Sequence, residues 1–224
     1  MAPWLYKNLS YDPAKDFIPV TQVSEGPLAL VVNSSSTSTT LDAFIADLKS
    51  KGSSLNYSSN GNGTYPHLSV ALLSEVTKTN PTHIPYPGGA QAITALIGNQ
   101  VQFSMNHIPV VQSQITSGRI KVLATSGSKR SSAYPNVPTL KESGINVEAS
   151  AWFGLFVPTG TPSAIVERLY QATAAAVKAP NLRERLAAQG DEVVVEGPAK
   201  FKALQDAELA KWKTTITASG IKLD

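Results

Sequence analysis

The sequence predicts an α/β fold with a largely parallel sheet. Short runs rich in Val, Leu, Ile and aromatic residues alternate with segments in which apolar residues recur at helical spacing. Four strand–helix alternations of this kind follow one another between residues 27 and 125. Such a succession is typical of one α/β lobe, in which the helices cover the sheet formed by the strands.

Length and composition limit the classes of protein to consider. With 224 residues, 42% of them hydrophobic and 16% charged, the chain is long enough for one large globular domain or two small lobes. The net charge is only +3, and Lys and Arg are scattered rather than gathered into a basic stripe. The sequence therefore predicts no nucleic-acid partner, although a modest positive field suits a small anion. The lack of cysteine excludes disulfides and thiolate metal sites.

The first elements can be placed from caps and turns. A buried strand is predicted at residues 27–32. Thr39 or Thr40 is suited to cap the helix that follows, and Gly52 to end it in the left-handed conformation. Thr64 is likewise suited to cap a later helix. The other elements predicted in this part are strands at residues 55–58, 83–86, 101–105 and 120–125, and helices beginning near Gly89 and Val110.

The second half of the chain begins after a connection at residues 126–138, which is rich in Ser, Lys, Arg and Pro. A buried strand is predicted at residues 151–158. Thr161 and Pro162 follow it as the cap and the first residue of a helix. The remaining elements are a helix at residues 181–188, a strand at residues 193–195 and a long helix from Pro198.

Motifs of the common enzyme classes are absent from the sequence. There is no Gly-x-Ser-x-Gly elbow and no Walker pattern, and Pro66 stands where a dinucleotide-binding fingerprint needs its third glycine. The three histidines, His67, His83 and His107, are not paired at helical spacing, and no acidic cluster accompanies them. The sequence therefore predicts no catalytic residue, no metal site and no cofactor.

The strongest local signal is a glycine-rich loop, residues 59–63, that joins a strand to the start of a helix. We expect the backbone amides of Gly63, Thr64, Tyr65 and His67 to point outward there. Since a helix start carries partial positive charge, a carboxylate is the natural ligand. An ordinary strand-to-helix turn with a capping threonine is an equally good interpretation. Further hydrogen-bond donors would come from the hydroxyl groups of Ser58, Ser59 and Thr64.

A second loop of this kind, Pro87-Gly88-Gly89, makes Gly89 a further candidate binding residue. Ligands of open α/β sheets bind at the carboxyl ends of the strands, where such loops gather, although two plain turns would show the same pattern. Among the aromatic residues, Phe153 and Phe156 are interpreted as core. Trp152 is a candidate ligand contact because its indole N–H needs a partner at the strand edge.

Several motifs, taken in order, resemble one protein family. The match runs without large gaps from Leu5 to the end of the chain. The family is that of the Bug-type extracytoplasmic receptors of tripartite tricarboxylate transporters. The motifs are Leu-Tyr-Lys-Asn-Leu-Ser-Tyr-Asp-Pro-Ala-Lys-Asp-Phe at residues 5–17, the glycine-rich loop ending in His67-Leu68, His83-Ile84-Pro85-Tyr86, Asn136-Val137-Pro138-Thr139, and Trp152-x-Gly154-Leu155-x-x-Pro158-x-Gly160-Thr161-Pro162.

The resemblance implies a type II periplasmic-binding fold with two α/β lobes that close around a ligand. It would place the central lobe at residues 34–126 and build the other lobe from residues 1–33 and 127–224. It also implies a periplasmic location, a small organic carboxylate as ligand and the permease subunits of the transporter as partners. The carboxylate site would comprise Ser59, Gly61, Gly63 and Thr64, faced by the strand that ends at Asn106.

The sequence departs from the family pattern at its start. Family members begin with a signal peptide, a first strand and a glycine-rich loop that grips one carboxylate, whereas residues 1–6 lack the basic and apolar parts of a signal peptide. On this basis we expect an N-terminally truncated receptor with an incomplete terminal lobe. Such a chain should bind simple dicarboxylates weakly or not at all.

Two departures lie inside the chain. Gln102 stands where the family usually has Asp, and Pro87 stands where Lys is common. The lost negative charge at Gln102 would change the choice of ligand, which makes this residue a candidate site residue. A sheet edge left open by absent strands would favour self-association, for example as a homodimer.

Two other functions are compatible with the sequence. A ligand-sensing domain of a transcription regulator can share this lobe architecture, but it would need a helix-turn-helix segment upstream of residue 1. A hydrolase with a dispersed triad could pair Ser59 with His67, although the usual nucleophile elbow is missing.

Overall fold

The computed structural model describes residues 1–223 and divides the chain into two compact units. The central unit is Pro27–Ala151. The terminal unit combines Met1–Gly26 with the described residues from Trp152 onward. The sequence-based division placed the boundaries at residues 33/34 and 126/127. The interpretation of these units as two ligand-binding lobes stays a prediction.

The order of the elements follows the alternation expected from the sequence. Short helices and strands succeed one another in the central unit, and the longest helix comes last. The helices and strands are α1 (Ala2–Leu5), β1 (Phe17–Asn33), α2 (Leu41–Lys51), β2 (Asn56–Ser59), α3 (Tyr65–Thr77), β3 (Thr82–Pro85), α4 (Gly89–Ile97), β4 (Phe103–His107), α5 (Ile108–Thr116), β5 (Ile120–Thr125), β6 (Ser150–Pro158), α6 (Ser163–Ala176), α7 (Pro180–Ala188), β7 (Glu192–Glu196) and α8 (Pro198–Ser219).

The sheet of the central unit has the strand order β3-β2-β4-β1-β5 and is mixed. Strand β2 is parallel to β3 and β4, whereas the second half of β1 is antiparallel to both β4 and β5. The prediction of a largely parallel sheet was therefore wrong for β1. Apolar runs of this kind specify burial on both faces but not strand direction.

Helices cover both faces of this sheet. On one face, Ala29 and Val31 of β1 pack against buried residues of α4 and α5, such as Leu96 and Val111. On the other face, Phe44 of α2 meets Phe103 of β4 edge to face, with ring centroids 5.0 Å apart. The alternate side chains of each strand therefore enter two separate cores.

The terminal unit is held by the first half of β1. This half pairs antiparallel with β7 and also pairs with β6. Phe201 of α8 is fully buried, and its ring centroid lies 4.8 Å from that of Phe156 and 5.6 Å from that of Trp152. These contacts agree with the prediction that Phe156 is a core residue. Phe153 is half exposed, so its interpretation as core was wrong, because β6 turns this alternate residue outward.

Helix caps show where local sequence rules hold. The Thr40 side chain accepts a hydrogen bond from the Ala43 amide, and Gly52 ends α2 with a φ of 52°, both as predicted. Pro162 is the N-cap of α6 rather than its first helical residue. The Thr161 hydroxyl donates to the carbonyl of Pro158 and is not available to cap the helix.

Apolar helices are short or interrupted by charge in this chain. Between residues 1 and 223, no helix combines the length and hydropathy that crossing a bilayer requires.

Gly154 offers a direct test of packing in the terminal unit. A Cβ added at this position would lie 2.1 Å from Cζ of Phe201 and 2.9 Å from the carbonyl oxygen of Thr21. We therefore expect Gly154→Ala to lower the free energy of unfolding by about 1–3 kcal/mol, measured by chemical denaturation. Gly98→Ala, whose Cβ would come no closer than 3.4 Å to its neighbours, is the control and should change stability less. Equal losses in the two variants would contradict this account.

Candidate functional site

The carboxyl ends of β2, β3, β4 and β5 lie at one edge of the central sheet. Strands β4 and β5 both run antiparallel to β1, β2 runs parallel to β4, and β3 runs parallel to β2. The two predicted glycine loops leave β2 and β3 at this edge. They touch each other there, since a Cβ on Gly89 would lie 3.5 Å from Oδ1 of Asn60. The structure thus brings both loops together, as expected for a binding edge.

The glycine loop, which we define as residues 59–64, is folded onto its own backbone. The hydroxyls of Ser59 and Thr64 both donate to the carbonyl oxygen of Gly61, at 2.9 and 2.7 Å. Gly61 and Gly63 have φ values of 125° and 68°, which favour glycine. Ser59 and Thr64 were predicted as hydrogen-bond donors to a ligand. Their hydroxyls instead shape the loop.

The amide of Gly63 is also used within the protein. It donates to Nδ1 of His67 at 3.0 Å, so the prediction that this amide points outward was wrong. His67 is the third residue of α3, and its side chain reaches back over the helix start as the glutamate of a capping box does. Thr64 is the N-cap residue, but its side chain makes no capping hydrogen bond.

His67 and His83 form a stacked pair beneath the loop. Their ring centroids are 3.7 Å apart with an interplanar angle of 20°, and Tyr57 stacks on His83 at 4.9 Å. Nε2 of His83 lies 2.6 Å from the Ser59 hydroxyl oxygen. Sequence reasoning missed this pair. No local sequence signal marks the pair, because it depends on the parallel pairing of β2 and β3, which places His83 beside Tyr57.

Both imidazoles are held in the neutral form. Burial lowers the pKa of His67 below its ordinary value. Burial, and secondly the charge that His67 would carry, lower the pKa of His83 to about 4. Two stacked rings, one buried and the other partly buried, cannot both take a proton without strong repulsion.

The hydrolase alternative can be judged on this geometry. Ser59 lies against His83 rather than His67, the partner proposed from the sequence. The Ser59 hydroxyl already donates to the Gly61 carbonyl at 2.9 Å, and the low pKa of His83 makes this imidazole a weak base at neutral pH. The contact serves the loop and does not form an exposed nucleophile.

A row of buried polar side chains crosses the same edge of the sheet. We call Ser58, Ser104, Asn106 and Thr125 the polar row. Asn106 pairs with Ala29, which pairs on its other side with Thr125, while Ser58 pairs with Ser104. Nδ2 of Asn106 donates to the Ser104 hydroxyl at 2.7 Å. Because paired residues share a face, the row lies on the side covered by α4 and α5.

Several polar atoms of this edge are buried without a hydrogen-bond partner among residues 1–223. They are Oγ of Ser58, Oδ1 of Asn60, Oδ1 of Asn106 and Oγ1 of Thr125. Each such atom costs about 1–3 kcal/mol if nothing bonds to it. The set contains two hydroxyl groups and two amide oxygens, all without formal charge. The set therefore combines groups that can donate a hydrogen bond with groups that only accept one.

Two residues chosen from the sequence lie elsewhere. Gln102 precedes β4 at the opposite edge, where its side-chain oxygen accepts a hydrogen bond from the Asn56 amide at 2.9 Å. Trp152 belongs to the terminal unit, where it packs against Phe156 and Phe201. Conversely, Asn60 and Thr125 were not predicted, and Ser104 was covered only by the expectation that the strand at residues 101–106 faces the site. The run Gln-Phe-Ser-Met-Asn carries polar residues at alternate positions, which was the available signal for Ser104.

Metal binding has no support in the part of the chain that the structure describes. Across residues 1–223, His, Asp and Glu side chains nowhere gather in groups of three or more that could hold an ion.

Comparison with known proteins identifies the family. The model of the tripartite tricarboxylate transporter family receptor, TctC, matches residues 1–221. The chain belongs to this family. Its members are periplasmic solute-binding receptors rather than enzymes, in agreement with the resemblance found in the sequence and with the lack of enzyme motifs.

Curated relatives are similar over almost the whole chain. BugT of Bordetella pertussis is 31% identical over 220 residues, which cover 98% of this chain and 68% of BugT. A protein encoded in the gbd 5' region of Cupriavidus necator is 36% identical over 214 residues, covering 96% of this chain and 65% of the relative. The chain thus spans about two thirds of the length of these two relatives.

Solved structures of the family share the fold. Rpa4515 of R. palustris with adipate has a TM-score of 0.88 and 29% identity, with 97% of this chain and 73% of that protein covered. MatC from Rhodopseudomonas palustris with bound malate has a TM-score of 0.85 and 30% identity, with 96% and 74% covered. The periplasmic binding protein BugD has a TM-score of 0.86 and 29% identity, with 99% and 75% covered.

The stacked histidines predict how stability depends on pH. The pKa of His83 is about 4 in the folded chain, compared with 6.5 as its ordinary value. Between these values the unfolded chain binds more protons, so the free energy of unfolding falls as the pH decreases from about 6.5 to about 4. We expect a loss of about 1–2 kcal/mol at pH 5 relative to neutral pH, measured by urea denaturation.

The variant His83→Gln is the control for this effect. Glutamine keeps a polar group near the Ser59 hydroxyl but cannot take a proton in this range. Its stability should therefore depend less on pH than that of the unsubstituted chain. The same dependence in both proteins would show that other groups cause it.

Proposed function

We propose that this chain is a receptor that binds a small organic carboxylate at the carboxyl edge of the central sheet. The observation that supports this most is the set of buried polar atoms there that lack a partner: Ser58 Oγ, Asn60 Oδ1, Asn106 Oδ1 and Thr125 Oγ1. The family membership and the solved relatives with adipate and with malate point to the same class of ligand.

The chemistry of this edge suits an anion held by neutral groups. The hydroxyls of Ser58 and Thr125 can donate to carboxylate oxygens, and hydrogen bonds to a charged acceptor are stronger than those between neutral groups. The amide oxygens of Asn60 and Asn106 accept instead. A ligand that carries a hydroxyl or amino group beside its carboxylates would therefore form hydrogen bonds with more of these side chains than a plain alkane dicarboxylate.

Transport by a receptor of this kind needs two conformations. A ligand shifts the equilibrium between open and closed states only by its difference in affinity for them. Taking the two units as the closing lobes is part of the proposal. The proposal also includes a periplasmic location and recognition by the permease subunits of a tripartite tricarboxylate transporter. Both are supported by the family, whose members are periplasmic receptors. Self-association as a homodimer stays a prediction.

The proposal can be tested by titrating the protein with malate, adipate and the uncharged diamide of malate. We expect both carboxylates to shift the amide NMR signals of Gly61 and Gly89, malate at lower concentration, and the diamide to leave them in place. Titration to about 10 mM also detects the weak binding expected from the sequence. Signals unchanged by either carboxylate would contradict the proposal.

Removal of a single hydroxyl group tests whether the ligand binds at the carboxyl edge of the central sheet. Thr125→Val keeps the shape of the side chain but removes its hydroxyl, so we expect the dissociation constant of malate to rise about fivefold to tenfold. Thr94→Val is the matched control, because the Thr94 hydroxyl bonds the Ala90 carbonyl on an exposed part of α4. An unchanged affinity in Thr125→Val, or an equal loss in Thr94→Val, would place the ligand elsewhere.

A further inference from the structure

Each end of the glycine loop is attached to one ring of the stacked histidine pair. At the start of the loop, the Ser59 hydroxyl contacts Nε2 of His83 at 2.6 Å. Near its end, the Gly63 amide donates to Nδ1 of His67 at 3.0 Å. Asn60, one of the residues with an unpartnered polar atom, lies between these two attachments. The position of its side chain therefore depends on both rings.

The rings lie in a setting without permanent charge. Tyr57 of β2 stacks on His83 and is tilted toward His67, and burial raises the pKa of this phenol, so it stays neutral. Phe103 of β4 lies beyond Tyr57, and the ring centroids of these two residues are 5.5 Å apart. The one charge that influences the pKa of His83 is a proton on His67, and burial alone lowers the pKa of His67.

The hydrogen bond at Gly63 assigns the tautomer of His67. Nδ1 can accept from the Gly63 amide only while it carries no hydrogen, so the neutral ring has its proton on Nε2. A second proton would bind Nδ1, and the N–H of the ring would then face the N–H of Gly63 with no acceptor between them. That proton breaks the attachment of Gly63, and its charge also opposes any charge on His83, whose ring centroid is 3.7 Å away.

We infer that His67 and His83 are positioning residues that hold the glycine loop in the shape in which it meets a ligand, and that protonation of His67 releases the loop at Gly63. The inference rests on the proposed function, because it takes this loop as part of the binding edge. The ligand-free chain then has two loop states, and acid favours the released one.

Two substitutions of His67 separate its roles. In His67→Asn, the Oδ1 atom can take the position of Nδ1, which keeps an acceptor for Gly63 that cannot be protonated. In His67→Phe, the ring that stacks on His83 is retained but the acceptor is lost. The measurement is amide hydrogen exchange of Gly63 in the ligand-free protein between pH 7 and pH 4.5, corrected for the intrinsic rate. Gly118, whose amide bonds Ile115 at the opposite edge of the sheet, is the internal control.

In the unsubstituted chain we expect Gly63 to lose protection with acid, by up to about tenfold for each pH unit, while Gly118 does not change. His67→Asn should keep Gly63 protected at both pH values, and His67→Phe should leave it unprotected at both. Protection that does not vary with pH in the unsubstituted chain, or an acid release that persists in His67→Asn, would overturn the inference. If His67→Phe does not fold, the comparison of the unsubstituted chain with His67→Asn decides alone.

A binding measurement separates this inference from the proposed function. Malate affinity is compared at neutral pH and at pH 5 in the unsubstituted chain and in His67→Asn, which cancels the titration of malate itself. We expect a larger loss of affinity in the unsubstituted chain. If malate binds neither protein but Gly63 is still released by acid, the proposed function fails while the attachment of the loop stands. If malate affinity changes equally in both, the loop attachment does not position the ligand.

Discussion

The pairing of Ala29 with two strands at once fixes the geometry on which the candidate site depends. Asn106 of β4 lies on one side of Ala29 and Thr125 of β5 on the other, so the register of β1 sets where both polar side chains stand. A slip of one residue would turn them to the opposite face. Ala29 itself is fully buried between them.

Hydrogen bonding inside the glycine loop changes how such a loop can serve an anion. A helix start often binds anions through its free amides, but here the amide of Gly63 is taken by His67 and two hydroxyls are taken by Gly61. These groups therefore serve the shape of the loop, which also carries the buried and unpartnered side-chain oxygen of Asn60. Donors to a carboxylate come from the sheet, where Ser58 and Thr125 have buried hydroxyls without a partner.

Sequence patterns predicted most of the fold and only part of the site. The helices and strands were found because their periodicity, caps and glycines are local properties, as the cap at Thr40 shows. Strand direction and the mixed sheet were missed, since neither is encoded in the burial pattern of a single strand. Gln102 was misplaced for a related reason. Position in a motif does not show at which edge of the sheet a side chain lies, and Gln102 caps Asn56 at the far edge.

The histidine pair was invisible in the sequence because it depends on a contact between two elements. His67 lies on α3 and His83 on β3, sixteen positions apart in the chain. The parallel pairing of β2 with β3 places His83 beside Tyr57, and His67 stacks on His83 from the helix. In a capping box, glutamate or glutamine at the third helical position accepts from the amide of the N-cap residue. His67 accepts instead from Gly63, one residue before the N-cap Thr64. An imidazole can in addition stack on a second imidazole that contacts Ser59. The two ends of the loop thereby share one support of two neutral rings, of which His67 is buried and His83 partly buried.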